Sequence, residues 1–308
     1  MKNSPYNAEP SRRSAVGRTA VEDFAHHLTR AERSPLTIKN YRCDLAAFAS
    51  WFRDTTGDEL TPAHITQTDL RDYKRFLVDQ RGLKPSSVNR QLATLKSFLT
   101  WAATAGLLPA GPPPVLPKAV LQARQGPRWL DRREQQALRR AVERGGQVRD
   151  IAIVTLLLNT GLRLQELCAL TWRDVQVTAR KGLVAVTHGK GGKPRQLPLN
   201  AEARRVLVVL GYEAHAGSSA PVFMGQRGGL TPSGVQRLLR TYAHTAHLEA
   251  LSPHRLRHTF CKSLINAGVG LEKVAALAGH ESLETTRRYC TPSLRDLEHA
   301  VELIGEEV

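Results

Sequence analysis

A chain of 308 residues is long enough for two ordinary domains, and a hydrophobic content of 41% is enough to give each a core. Its 44 Lys and Arg against 28 Asp and Glu leave a formal charge of +16. That points to a polyanionic partner, with nucleic acid ahead of an anionic membrane surface, because the basic residues are spread along the chain and not gathered in one amphipathic segment. Residues 1–19 lack the apolar stretch of a secretory signal, and no run approaches the roughly 18 apolar residues of a membrane span. Cys43, Cys168, Cys261 and Cys290 are too scattered for a C-x-x-C pair, so reduced thiols in a cytoplasmic protein are expected.

In chain order, residues 1–16 read as a disordered basic tail and 17–108 as a helical domain. Ser34-Pro35 is an N-cap followed by proline at the first helical position. Behind it Ile38, Tyr41, Leu45, Phe48 and Phe52 recur at helical spacing and share one face. A second helix carries Leu70, Tyr73, Phe76 and Leu77 and ends at Gly82. A third starts near Ser86 and buries Val88, Leu92, Leu95 and Leu99. Its other face holds Asn89, Arg90 and Lys96, which suit contact with a nucleic-acid groove or backbone and equally suit a solvated surface. The stretch 109–117 is dense in proline and cannot continue a helix or sheet, so 109–122 reads as an extended, semi-stiff linker.

The second domain, 123–308, opens with Asp131 and Glu134 at capping-box spacing. The run 151–158 is apolar all round and belongs in a core. Gly161 breaks it, and a short helix follows from about Arg163. Residues 183–187 and 195–199 read as two strands joined by the glycine-rich turn 189–193, one hairpin in a mostly helical domain. Helices resume near Ala201, Ser233, Ser252, Leu271 and Ser282. A last one, about 293–304, carries Leu294, Leu297, Val301 and Ile304 on one stripe. The expected fold is therefore mainly α with a small β-hairpin or sheet.

The chemistry concentrates in this second domain. Arg163 sits just after the glycine break, with Glu166 a turn further on. Lys190 lies at the hairpin tip. His254 and Arg257 share a helix face, His280 follows a helix, and Tyr289 comes shortly after. Singly, each has an ordinary reading: a core tyrosine, a solvated lysine. His254 and His258 stand at i and i+4, but Arg255 and Arg257 beside them oppose a metal cation and no H-E-x-x-H glutamate is present, so no metal is expected. The Gly-Lys-Gly-Gly-Lys turn lacks P-loop spacing and lies between strands, which argues against nucleotide binding. Taken together, two arginines, two histidines, a lysine and a tyrosine suit a phosphodiester. Guanidinium forks match its non-bridging oxygens, where negative charge builds during attack.

In order, Arg163, Lys190, His254-x-x-Arg257, His280 and Tyr289 fill the signature of the tyrosine recombinases. The wording around them, Thr-Gly-Leu-Arg, Gly-Lys-Gly, His-Arg-Leu-Arg-His-Thr-Phe and Leu-Ala-Gly-His, resembles the phage integrases and the Xer recombinases in particular. The resemblance implies a helical core-binding domain and a catalytic domain clamping double-stranded DNA at specific core sites. It implies Tyr289 as nucleophile, a 3′-phosphotyrosyl intermediate, no metal, ATP or other cofactor, and Glu166 as a residue orienting an arginine or histidine. It also implies a homotetramer in which the C-terminal helix docks on a neighbouring protomer. The compact, basic chain suits a mobile element. A type IB topoisomerase, a telomere resolvase and a DNA-binding protein that has lost catalysis remain as alternatives.

Overall fold

The computed structural model describes residues 19–121, 128–187, 194–280, 282–287, 298 and 301–302. The chain divides into two units, Met1–Arg124 and Gln125–Val308.

The first unit is built of α1 (Ala20–Arg30), α2 (Pro35–Thr56), α3 (Gln67–Arg75), which runs on into a π-helical turn at Phe76–Gln80, and α4 (Pro85–Thr104). Local chemistry sets their starts. The Thr19 and Ser34 hydroxyls accept from the backbone of Glu22 and Thr37, and Thr66 and Asp69 form a reciprocal capping box. The apolar faces expected from spacing close on one another: Leu45, Phe48, Phe52, Leu70, Tyr73 and Leu95 are all buried, and Phe24 and Phe98 join them. Phe48 and Tyr73 meet edge to face with ring centroids 4.8 Å apart. One polar group enters this core under cover of partners: buried Asp44 accepts from Thr94 Oγ1 at 2.9 Å and pairs with Arg90.

The proline-rich stretch carries no helix or strand as far as it is described. It does not stand away from the first unit. Leu116 and Val120 pack against that unit's core, and Asn89 holds Val120 by two hydrogen bonds, Nδ2–H to the carbonyl at 3.0 Å and Oδ1 from the amide at 2.7 Å.

The second unit contains α5 (Arg132–Gly145), α6 (Val148–Thr160), α7 (Leu164–Ala169), β1 (Val175–Val177), β2 (Gly182–Val186), β3 (Arg195–Pro198), α8 (Ala201–Val209), α9 (Tyr212–His215), β4 (Met224–Gly225), β5 (Gly228–Gly229), α10 (Pro232–Thr245), α11 (Pro253–Asn266), α12 (Leu271–Ala278) and α13 (Leu283–Arg287). Asp131 and Glu134 make the expected capping box on α5. The run 151–158 of α6 lies between α5, α8 and α11, which is why it is apolar all round.

The sheet is larger than the expected hairpin. β2 pairs antiparallel with β3 and also with β1, and β4 pairs with β5 in a separate ribbon. Val-Gln-Val at β1 is too short to show a period, and the glycine-rich β4–β5 ribbon has hardly any side chains to show one. The expected C-terminal helix lies largely outside the described residues, with Leu294, Leu297 and Ile304. Val301, from the same stripe, is helical and exposed. The tail 1–16 and Cys290 also lie outside them, and Cys43 and Cys168 are free thiols. Among the described residues, no helix is long and apolar enough to cross a membrane.

Candidate active site

Two of the second unit's glycine-ended helices hold the two arginines with their last carbonyls. α6 ends at Gly161 (φ 62°) and α12 at Gly279 (φ 66°), both in the left-handed region that lets a helix stop abruptly. A helix C-terminus presents carbonyls without intrahelical partners and the negative end of its dipole, a natural seat for a cation. Arg257, on α11 and only 3% exposed, donates Nη1–H to Gly161 O at 2.5 Å and Nη2–H to Ala278 O. Arg163, at the start of α7, donates Nη2–H to the next carbonyl, Gly279 O, at 2.5 Å. Consecutive carbonyls of one helix end thus bring Arg163 and Arg257 together, although they are far apart in sequence.

Side-chain bulk at either glycine would disturb this seat. A Cβ on Gly161 would stand 2.3 Å from Phe260 Cδ1, and one on Gly279 would stand 2.9 Å from Arg195 Cζ.

Glu166 is the anchor on the other side of Arg163. It stands at the third position of α7, where its Oε2 accepts the Arg163 backbone N–H at 2.8 Å and so caps the helix. Its Oε1 accepts Arg163 Nη1–H at 2.9 Å. Both oxygens also accept from Arg195 on β3, at 2.8 and 2.7 Å. Burial favours the neutral carboxylic acid, but the Arg195 and Arg163 hydrogen bonds overcome it and bring the Glu166 pKa down to about 2. Glu166 was expected to orient an arginine or histidine, and Arg195 stands outside the expected set. The one signal available was that Arg195 opens the strand that follows the glycine-rich stretch 189–193.

The histidines of the site are held neutral. His280 is brought down to about 4 by burial and then by the positive charges of Arg257 and Arg163, and its Nδ1 lies 2.8 Å from the buried Thr286 hydroxyl. His254 is lowered by the same causes in the same order, and its ring lies 5.0 Å, centroid to centroid, from that of His258. Desolvation, then Arg163, lowers Arg257 to about 10, which leaves it charged at neutral pH. The structure therefore groups Arg163, Glu166, His254, Arg257 and His280. Lys190 and Tyr289 lie outside the described residues. Among the described residues, no group of three or more His, Cys, Asp or Glu side chains is placed to hold a metal ion.

The surface residues expected to meet DNA have varied surroundings. Asn89 is committed to Val120, Arg90 is exposed but paired with Asp44, and Lys96 is exposed beside the proline-rich stretch.

Residues 128–294 match the phage integrase family, and residues 21–106 match the phage integrase N-terminal SAM-like domain. The chain belongs to the phage integrase family. Similar curated proteins are named Tyrosine recombinase XerC. The one from Xanthomonas campestris pv. campestris is 34% identical over 280 residues, covering 88% of this chain and 83% of that protein. The one from Myxococcus xanthus is 33% identical over 304 residues, covering 92% and 96%. Among solved structures, the XerH recombinase bound to palindromic difH substrate, a post-cleavage complex, shares the fold with a TM-score of 0.72 at 19% identity, covering 93% of this chain and 85% of that one. The Tn1549 transposon integrase in complex with circular intermediate DNA does so with a TM-score of 0.71 at 18% identity, covering 92% and 99%. Arg163, Glu166, His254, Arg257 and His280 all lie within the matched residues 128–294.

Proposed function

We propose that this phage integrase family member is a site-specific DNA recombinase that cuts and rejoins strands through a 3′-phosphotyrosyl intermediate. The observation that carries the reading is the seating of Arg163 and Arg257 on the consecutive carbonyls of Gly279 and Ala278, with His254 and His280 beside them. Two guanidiniums so held have their orientation set before DNA arrives, which is the condition for stabilising charge that develops only in the transition state.

In this reading Tyr289 Oη attacks the scissile phosphorus and its proton passes to His254, whose lowered pKa leaves it unprotonated at neutral pH. The bond to the 5′ oxygen breaks, and Lys190 protonates the departing oxygen. Arg163 and Arg257 bind the non-bridging oxygens. In this reading Thr286 donates across its 2.8 Å contact with Nδ1, so that His280 carries its proton on Nε2 and donates it to the same phosphate. The covalent bond conserves the phosphodiester's energy, so neither ATP nor metal is called for, and a 5′ hydroxyl from a partner duplex reverses the attack.

Residues 17–108 then form the core-binding domain and 123–308 the catalytic domain, joined by 109–122 and clamping the duplex in the cytoplasm. Arg90 and Lys96 serve as backbone contacts, and Asn89 acts through the segment it holds. The protein works as a homotetramer on two sites, with the C-terminal stripe docking on a neighbour. Truncation after Pro292 is expected to abolish cooperative DNA binding, and its retention would remove the exchange from the reading.

The central test uses sites selected from random DNA and a nicked suicide substrate. Wild type forms an adduct that survives denaturation, and Tyr289→Phe forms none. No wild-type adduct on a tightly bound site would leave a non-catalytic DNA-binding protein.

A further inference from the structure

Arg195 makes an unusual claim on the site. It belongs to none of the signature positions, yet its side chain is only 12% exposed and both its terminal nitrogens are spent on one carboxylate. That carboxylate, Glu166, also holds Arg163 through two bonds. A glutamate that fixes an arginine ordinarily also neutralises it: a guanidinium and a carboxylate in contact form a pair of no net charge, and a phosphate is drawn to such a pair weakly. Here the carboxylate is shared between two guanidiniums, so the trio keeps one positive charge. Arg195 has no equivalent freedom to meet the phosphate itself, because its guanidinium lies against Gly279 and its Nε–H points to Leu277 O at 3.4 Å.

We propose that Arg195 is a positioning residue: by sharing Glu166 it lets that carboxylate orient Arg163 without cancelling the charge Arg163 brings to the scissile phosphate. Arg195 also begins β3, two residues after the glycine-rich stretch 189–193 that contains Lys190, and so ties that strand to the seat of both arginines. The inference rests on the recombinase reading above.

The test is single-turnover adduct formation on the suicide substrate at saturating protein, with wild type, Arg195→Lys, Arg195→Gln, and the double variant Arg195→Gln/Glu166→Gln. DNA affinity and hydrogen exchange of α7 are measured in parallel. Arg195→Gln is expected to slow the chemical step by roughly 10–100-fold, the usual scale for loss of a residue that supports a reacting group, with DNA affinity unchanged. Arg195→Lys keeps the charge, loses the fork and stays close to wild type. The double variant removes the charge that Arg195 offset and is expected to be faster than Arg195→Gln alone. A purely structural anchor predicts the reverse: Lys and Gln equally slow, and the double variant no faster than the single. Either of those two results overturns the proposal. Absence of any wild-type adduct overturns the recombinase reading itself, and is told apart because it appears before any variant is compared.

Discussion

Replacing Gly161 by alanine tests the helix-end seat directly. Two costs follow from the structure. At φ 62° an L-residue with a side chain occupies the left-handed region, which costs about 1–2 kcal/mol. The added Cβ would also stand 2.3 Å from Phe260 Cδ1 and 2.8 Å from Cε1, closer than carbon atoms approach, and Phe260 is buried with little room to retreat. Overpacking of that kind costs about 1–3 kcal/mol. The expected loss is therefore about 2–5 kcal/mol, read as faster hydrogen exchange of the α6 and α11 amides, which report opening of this unit in particular. Adduct formation should fall as well, because Gly161 O is the acceptor for Arg257. Adding Phe260→Leu to Gly161→Ala should recover the packing part and leave the backbone part, a coupling of about 0.5–3 kcal/mol in a double-mutant cycle. A loss below about 0.5 kcal/mol, the level of an uninvolved surface site, would refute the reasoning. Strict additivity of the two changes would show that the ring is not the obstacle.

Other predictions concern protons and the linker. The Glu166 pKa lies at about 2, below its ordinary 4.5, so its contribution to stability is present above pH 4.5 and lost as pH falls through 2. A shift of that size corresponds to something on the order of 3 kcal/mol. Urea midpoints measured across this window should slope in wild type and flatten in Glu166→Gln, and parallel curves would sink the assignment. His280, with its pKa at about 4, should show no imidazole titration by NMR between pH 8 and 5, whereas a midpoint near 6.5 would contradict its burial and the charge crowding that Arg257 and Arg163 impose. Its folded pKa lies below the ordinary value, so the stability it contributes is present above pH 6.5 and lost as pH falls to 4. Asn89→Ala removes both bonds to Val120 and should speed limited proteolysis within 109–121 without unfolding the first unit; an unchanged cleavage rate would mean that Leu116 and Val120 hold the segment by packing alone.

What the sequence determined by itself was whatever depends on neighbours along the chain. Ser34-Pro35, the Asp131–Glu134 box and the run 151–158 each state a helix, because caps and periodicity act over one or two turns. Arg163, His254, Arg257 and His280 were legible as one set through residue type, order and resemblance. Gly161 was legible as a break. Its second use, as the carbonyl that holds Arg257, was not, because that partner lies 96 positions away. Tertiary structure decided the rest. It set Arg163 on Gly279, 116 positions on, and turned Arg195 from a strand residue into the second clasp on Glu166. It extended the expected hairpin to three strands, and it fastened the proline-rich stretch to α4 through Asn89. These choices share one physical reason. A buried guanidinium or carboxylate must find partners for every charged group it brings inside, and only the packing of distant segments determines which partners are within reach.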